Sequence, residues 1–246
     1  MKKIIFISLA IVSFLFTSCE KDNYDAPSLL LHGNLQYNGQ NFLYDGSPDR
    51  ALIRVYQKGY GKVDGGTNLR VDEKGHFQQL LFADDNYKLT PDNRSYPFEF
   101  KDFKPREVGY DSLTVSLRSN QEMNFEVTPY YIINNFTTSL EGSDMVMKFS
   151  VSKVSGTDKP APKIVRALCY VNTASLVNSK TKCVIAEGVD ITEQGDIELK
   201  MPVSTYRSGY INNFRTYAFC RVAIELENIP EYYLFSDTKK IEGLPK

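Results

Sequence analysis

Apolar and polar residues alternate along most of the chain, which is the pattern of half-buried β-strands. Leu113, Val115 and Leu117 follow this pattern, and residues 145–151 carry apolar side chains at every second position. Near the C-terminal end the alternation continues over residues 218–226. The only helical feature that we expect is a turn near residues 173–177. The pattern therefore predicts an all-β chain.

The predicted strands fall into two groups, each large enough for a β-sandwich of about seven strands. In the first group, a strand over residues 29–35 ends near the tight-turn signal Asn38-Gly39, and residues 51–56 form another. The second group begins with a strand near residue 123 and ends with a closing strand at residues 235–241. We expect two tandem β-sandwich domains, at residues 29–121 and 122–246, the second of them immunoglobulin-like. Residues 19–28 are polar and contain Pro27, which is typical of a tether.

The first eighteen residues have the pattern of a bacterial lipoprotein signal peptide. Lys2 and Lys3 precede an apolar run at residues 4–16, which is shorter than the roughly 20 residues that a membrane-spanning helix needs. Small residues then lead directly to Cys19. We therefore predict cleavage after residue 18, lipidation of Cys19 and attachment to a membrane through more than one acyl chain.

Composition and charge narrow the possible partners. The chain has 16 Tyr and 15 Phe but no Trp, a profile that favours strands. Without residues 1–18, 27 basic side chains face 30 acidic ones. A net charge of −3 does not suit a nucleic-acid-binding protein, which normally presents a concentrated basic face.

Three cysteines remain after Cys19, namely Cys169, Cys183 and Cys220, so at least one of them lies outside any internal disulfide. Cys169 and Cys220 have a spacing similar to the inter-sheet disulfide of immunoglobulin domains. Cys169 could instead pair locally with Cys183. We favour a third alternative, buried free thiols, because free cysteine is among the most buried residue types.

Signals for catalysis, metals and cofactors are weak. The only histidines are His32 and His76, and no G-x-S-x-G motif is present. Carboxylates are numerous enough for a glycosidase pair, but none is singled out. Asp84-Asp85-Asn86 could offer oxygen ligands to calcium, but we favour an ordinary solvated turn, because the alternating carboxylates and glycine of an EF-hand loop are missing. We predict no enzyme activity, no metal site and no cofactor.

Aromatic side chains in loops are the remaining candidates for a ligand site, because their flat faces stack on the C–H faces of sugars. The best single segment is residues 206–213, in which we assign ligand binding to Tyr206, Arg207, Tyr210 and Asn212. It combines two rings, a guanidinium and amides in a turn-rich stretch. Tyrosine also packs half-buried in many all-β proteins, which is the alternative interpretation. The full set of candidate rings is Tyr60, Tyr96, Phe98, Tyr110, Tyr206, Tyr210, Tyr232 and Tyr233.

Three stretches resemble a known family. They are the tether ending Asn23-Tyr24-Asp25-Ala26-Pro27, the turn and strand from Gly75-His76-Phe77 to Tyr87-Lys88-Leu89, and Asn124-Phe125-Glu126-Val127-Thr128-Pro129-Tyr130. Together they are similar to the two-domain outer-membrane lipoproteins of Bacteroidetes grouped as domain of unknown function 3823. Where that family usually has Gly-x-Val after the tether, this chain has Leu31-His32-Gly33-Asn34-Leu35.

The resemblance implies a transthyretin-like domain, similar to the regulatory domain of carboxypeptidases, followed by an immunoglobulin- or fibronectin III-like domain. It also implies a role beside glycan-uptake systems with a SusC-type porin and a SusD-type binding lipoprotein. The acidic pair Asp22 and Asp25 resembles a signal for export to the outer face of the outer membrane, with a periplasm-facing location as the alternative. We therefore expect a non-catalytic lipoprotein that binds polysaccharide or protein. A purely structural role in an assembly is the alternative, and a glycoside hydrolase is a more distant one.

Overall fold

The computed structural model describes residues 26–47, 51–57, 66–92, 94–107, 109–181, 184–190, 195–209 and 214–245. The predicted signal peptide, Cys19 and most of the tether lie outside these ranges. Over the ranges that it covers, the structure consists of strands and one short helix, and no helix is long and apolar enough to span a membrane.

The first domain packs two sheets against each other. One sheet is built around β1, with the order β2-β1-β10-β7 and with β5 and β9 also paired to β1; the other has the order β4-β3-β6-β8. Alternating residues of both sheets, such as Leu31, Leu35, Leu69 and Leu89, point inward and are buried. The strands are β1 (Leu29–Tyr37), β2 (Gln40–Asn41), β3 (Ala51–Tyr56), β4 (Thr67–Arg70), β5 (His76–Leu81), β6 (Asp84–Pro91), β7 (Phe98–Phe100), β8 (Leu113–Leu117), β9 (Gln121–Glu122) and β10 (Phe125–Pro129).

The strands β9 and β10 lie in the first domain, although our sequence-based boundary at 121/122 assigned nearly all of them to the second. β10 pairs in parallel with β1 and antiparallel with β7. Gly33 lets the returning chain approach β1, because a Cβ atom there would lie 1.8 Å from the carbonyl oxygen of Met123. The alternating pattern of residues 125–129 shows a strand but carries no information about which domain it joins.

The second domain is also a sandwich of two sheets. One sheet has the order β11-β12-β15, and the other has β14-β13-β16 with β17 and β18 both paired to β16. Its elements are β11 (Tyr131–Glu141), β12 (Asp144–Lys153), β13 (Ile164–Asn172), β14 (Val184–Asp190), β15 (Gly195–Pro202), α1 (Val203–Ser208), β16 (Tyr217–Leu226), β17 (Leu234–Phe235) and β18 (Lys239–Glu242). The prediction of two tandem all-β sandwiches is confirmed.

Helix α1 was not expected from the sequence. At six residues it is too short to be stable through helix propensity alone. Its buried residues are Val203 and Tyr206, which lie three positions apart and so share one face. Packing of this face against the core therefore holds the helix in place.

Cys169 and Cys220 are buried thiols, and neither forms a disulfide. They lie on adjacent strands of one sheet, where Cys169 is opposite Val222 and Cys220 is opposite Val171. The inter-sheet disulfide of immunoglobulin domains has no counterpart in this arrangement. For these two residues the preference for buried thiols is confirmed, whereas Cys183 lies outside the described ranges.

The link between the two domains is a single residue, Tyr130, which separates β10 from β11. Its backbone N–H donates to the carbonyl of Pro97 at 3.1 Å, and its carbonyl accepts from the N–H of Val154 at 3.0 Å. The linker is thus hydrogen-bonded to the first domain on one side and to the second on the other. The domains meet directly, without a flexible connection.

Candidate functional site

A concave surface of about 520 Å³ lies where the two domains meet, and we call it the junction cleft. Clefts between domains are common places for small-molecule binding. The first domain contributes the segments around Tyr96 and Tyr110, and the second contributes Lys159–Pro162 and Glu227–Ile229, with Tyr130 between them.

Packed aromatic rings form the base of the junction cleft. The ring of Tyr96 stacks on Phe98 with centroids 5.4 Å apart, and it meets Tyr232 of the second domain edge to face at 5.2 Å. The Tyr96 hydroxyl donates to the carbonyls of Leu52 and Asp92, each at 3.2 Å. Burial raises the pKa of Tyr96 far above its ordinary value, so this hydroxyl remains a neutral donor. The base is therefore a rigid apolar layer that spans both domains.

The rim carries the groups that a ligand can reach. Tyr110 is half-buried and stands edge to face against Phe100 at 5.5 Å. The exposed Arg94 is fixed, because its Nε donates to Asp92 Oδ2 at 2.9 Å and its guanidinium lies 6.0 Å from the centre of the Tyr232 ring. Further polar groups and two prolines complete the rim, namely Glu107, Lys159, Pro160, Pro162, Glu227 and Asn228.

The buried carboxylate of Glu99 ties one wall of the cleft to the other. Glu99 lies on β7, and its two oxygens accept the backbone N–H groups of Asp158 and Lys159 in the second domain, at 2.7 and 2.8 Å. The Tyr130 hydroxyl also donates to it, at 3.4 Å. Hydrogen bonds to an ionised acceptor are roughly twice as strong as neutral ones. The width of the junction cleft is thereby fixed.

A second brace between the domains is the buried side chain of Arg221 on β16. Its guanidinium donates to the carbonyls of Val177 and Ser236 in its own domain, at 3.1 and 2.7 Å. It also donates across the junction, to the carbonyls of Tyr44 at 2.6 Å and Glu73 at 3.3 Å. The five N–H donors of an arginine suit such a set of carbonyl acceptors. A charged side chain thus joins the two domains through backbone groups.

In the segment that we selected from the sequence, residues 206–213, the first residue cannot contact a ligand. Tyr206 is fully buried in the core, and its hydroxyl donates to the carbonyl of Tyr217 at 3.1 Å. No face of its ring is available for stacking, so its assignment to ligand binding was wrong. Arg207 is half-buried and donates to the carbonyls of Arg215 and Pro245. Tyr210 and Asn212 lie outside the described residues.

Other sequence candidates divide between the junction cleft and the general fold. Tyr96, Phe98 and Tyr110 line the cleft, and Tyr232 supports it from below. Tyr233 packs against Phe235 instead, and Tyr60 lies outside the described ranges. Most of the aromatic rings of the cleft were thus among the candidates chosen from the sequence. Nothing in the sequence indicated that they lie close together.

Metal-binding geometry is absent from the part of the chain that the structure covers, since it holds no cluster of three or more His, Cys, Asp or Glu side chains. The Asp84-Asp85-Asn86 segment begins strand β6, and Asp84 accepts the N–H of Asn86 at 2.7 Å where the pairing with β8 is irregular. Asp85 pairs with Arg118 and Ser116, which lowers its pKa to about 2.

This architecture is similar to that of proteins in a known family. Residues 29–128 match the model of the N-terminal domain of the protein family of unknown function DUF3823. A DUF3823 family protein from Parabacteroides merdae is 25% identical, with a TM-score of 0.68 over 89% of this chain and 100% of its own. A second, from Bacteroides ovatus, is 21% identical, with a TM-score of 0.62 over the same shares.

A protein from Bacteroides uniformis described as a “putative carbohydrate binding protein” shares the fold at 12% identity, with a TM-score of 0.64 over 88% of this chain and 99% of its own. The search of curated proteins found no match. The resemblance seen in the sequence is confirmed, since residues 29–128 match the N-terminal domain of DUF3823 and solved DUF3823 family proteins are similar over most of the chain.

Proposed function

We propose that this protein is a non-catalytic carbohydrate-binding lipoprotein that holds a saccharide in the junction cleft. The observation that carries the proposal is the composition of the rim. A half-exposed ring, Tyr110, stands beside proline rings, a fixed guanidinium and carboxylate and amide groups. A sugar needs this combination, because its C–H faces are apolar while its hydroxyls require donors and acceptors.

The charges of the rim favour a neutral saccharide. Arg94 and Lys159 are balanced by Glu107 and Glu227, so no net charge has to be matched by the ligand. The fold of the Bacteroides uniformis protein lends support at the level of the fold, which alone does not determine function. The site argument therefore rests on the residues of the cleft.

Binding to a panel of neutral polysaccharides, measured by affinity electrophoresis and calorimetry, tests this proposal. Replacing Tyr110 with Ala removes the exposed ring and is expected to weaken binding about tenfold or more, as for a central interface residue. Tyr37→Ala is the matched control, because Tyr37 is also half-buried but lies on the β1–β2 hairpin away from the cleft. Equal affinity of Tyr110→Ala and the unchanged protein would contradict the proposal.

Two other roles correspond to other outcomes of the same experiment. No binding to any polysaccharide, together with co-purification of an outer-membrane porin, would indicate a structural role in an assembly. Release of reducing ends from a bound polysaccharide, abolished by Glu107→Gln or Glu227→Gln, would indicate a hydrolase. We expect binding without turnover.

The location is part of the proposal. A lipid on Cys19, followed by a short tether to β1, would hold both domains at the outer surface of the outer membrane, where they would serve a SusC/SusD-type uptake system. Mass spectrometry of the native protein is expected to show an acylated N-terminal Cys19. The Cys19→Ser variant is expected to leave the membrane fraction, and unchanged membrane association would argue against this anchor.

A further inference from the structure

A second concave surface lies wholly within the first domain, and we call it the Arg70 pocket. It has a volume of about 580 Å³, within the usual range for small-molecule sites. Arg70 and Asp72 at the end of β4 point outward, since the intervening Val71 is buried, and His76 and Gln78 on β5 do the same around the buried Phe77. Val71 and Phe77 pair with each other. Four polar side chains thus converge where the two sheets of the domain meet.

The pocket wall contains a buried hydroxyl that has no hydrogen-bond partner. Ser47 is 1% exposed, and its Oγ makes no hydrogen bond within the described part of the chain. The preceding Gly46 has φ +69°, and a Cβ atom on it would lie 2.6 Å from the backbone nitrogen of Glu73, so this loop passes tightly against the β4–β5 turn. A buried polar group without a partner is unfavourable and requires an explanation. A ligand that accepts from Ser47 would supply one.

The charged groups of the pocket differ in their availability. Asp72 is already engaged: its Oδ1 accepts the N–H groups of Lys74 and His76 at 2.9 and 2.8 Å, and its Oδ2 lies 3.4 Å from His76 Nδ1. The other ring nitrogen of His76 is 2.9 Å from the side-chain amide of Asn41. The guanidinium of Arg70, in contrast, makes no ion pair or hydrogen bond to any residue that the structure covers. It is the available cation of this site.

We infer that the Arg70 pocket binds the carboxylate of an acidic saccharide, such as a uronic acid unit. A guanidinium binds a carboxylate through two parallel hydrogen bonds, and the Ser47 hydroxyl and Gln78 amide add further donors. The nearby Asp72 carboxylate disfavours a doubly charged phosphate, whereas it can accept from sugar hydroxyls. The polar lining suits a polyhydroxylated ring better than the side chains of a peptide, because Val71 and Phe77 offer little exposed apolar surface.

A pair of disaccharides tests the inference by calorimetry. Digalacturonic acid is expected to bind, and the neutral digalactose of the same linkage is expected to bind at least about tenfold more weakly, since it lacks the charged group. Arg70→Gln should weaken binding of digalacturonic acid by about tenfold or more. Arg118→Gln is the control, because this arginine lies on the same domain but is paired with Asp85.

Ser47→Ala provides a test that does not depend on the charge. Loss of the hydroxyl is expected to weaken binding several-fold while leaving the melting temperature unchanged or higher, because an unpaired buried group is removed. Tyr110→Ala should leave this binding unaffected, so failure of the junction cleft proposal and failure of this one are distinguishable. Equal binding of both disaccharides, no effect of Arg70→Gln, or binding of an acidic peptide in place of digalacturonic acid would each overturn the inference.

Discussion

The environment of Arg221 differs from the one that its position in the sequence would predict. On β16 it follows Tyr217 and Phe219 on the face that points away from the domain core, where an arginine would normally meet water. Val177 and Phe235 of its own domain, together with the docked first domain, cover Arg221 here. The side chain is therefore 1% exposed, and its guanidinium lies 4.4 Å from the centre of the Phe235 ring. Its stabilising effect comes from satisfying backbone carbonyls that the junction would otherwise bury without donors.

We therefore expect Arg221→Leu to destabilise the protein by about 3 kcal/mol or more, because several buried carbonyls lose their donor at roughly 1–3 kcal/mol each. Urea unfolding followed by circular dichroism measures this change. Arg118→Leu serves as the comparison, since its ion pair with Asp85 is exposed and should contribute at most about 1 kcal/mol. A similar effect of the two substitutions would show that burial of Arg221 contributes little.

Cys220 makes stability depend on alkaline pH. Burial raises the pKa of its thiol to about 12, whereas a thiol in the unfolded chain titrates near 8.5. Since the folded state retains the proton, the contribution of this group is fully present below about pH 8.5 and is lost as the pH rises towards 12. Between pH 8 and 10 the unchanged protein should lose about 1–2 kcal/mol more unfolding free energy than Cys220→Ala. Parallel pH profiles would contradict this expectation.

At the scale of elements, β1 organises the first domain. It pairs with β5 along most of its length and then, in parallel, with β9 and β10 from the far end of the domain. Side-chain contacts support the returning chain, as when Asn124 Oδ1 accepts the N–H of Asn34 at 2.9 Å. Gly33 is the position where the two segments come closest.

Gly33→Ala should consequently destabilise the first domain by about 3 kcal/mol, the upper part of the range for overpacking, because the new methyl group would displace the backbone at Met123. Thermal unfolding measures the effect. At Gly39 the added Cβ would meet no atom within 4 Å, so Gly39→Ala should cost only about 1 kcal/mol through its φ of +71°. Equal melting temperatures for the two variants would contradict this prediction.

A strand can be predicted from the sequence where the alternation of apolar and polar residues within that strand is sufficient to identify it. β12 and β16 carry apolar residues at every second position, over residues 145–151 and 218–226, which indicates that they are strands and identifies one buried face of each. In β13 the alternation of Val165 with Ala167, Cys169 and Val171 would bury Val165, but a bulge between Ile164 and Arg166 leaves Val165 exposed and buries Ile164 instead. A bulge depends on pairing with β16 and leaves no clear trace in the pattern.

The candidate site was less predictable than the strands, because it depends on contacts between segments that are distant in the sequence. The polar, turn-forming neighbours of Tyr206 predict an open loop, but Tyr206 lies on the buried face of α1, three residues after Val203. Tyr96 and Tyr232 become neighbours only when the domains dock, and they are separated by more than half of the chain. Contacts between distant segments therefore determine the junction cleft, and single-residue patterns do not encode them.

At the scale of the whole molecule, the two domains form one unit. Their buried apolar residues make a continuous cluster, and the Glu99 and Arg221 braces lie on either side of the one-residue linker in sequence. Asp45 of the first domain adds two hydrogen bonds to Ser179 of the second, at 2.8 and 2.6 Å. We thus expect a single cooperative thermal transition in calorimetry.

The double variant Glu99→Gln, Arg221→Leu should separate this transition into two. Glu99→Gln replaces an ionised acceptor by an amide and weakens the bonds to Asp158 and Lys159, by about 1–2 kcal/mol. With both braces weakened, each sandwich should unfold at its own temperature. Lys148→Gln with Arg118→Gln, which alters only exposed ion pairs, should preserve one transition. A single transition in the brace variant would mean that the apolar contacts alone couple the domains.

The parallel pairing of β1 with β9 and β10 also has a mechanical consequence. A load applied between the N-terminal end of β1 and the second domain enters at Leu29 and leaves through Pro129, along two strands that run side by side in the same direction. Such a pull shears their hydrogen bonds together, whereas a hairpin pulled at its open end would unzip them one by one. If the proposed anchor at Cys19 holds the protein in flowing liquid, this pairing would resist stretching at the first strand.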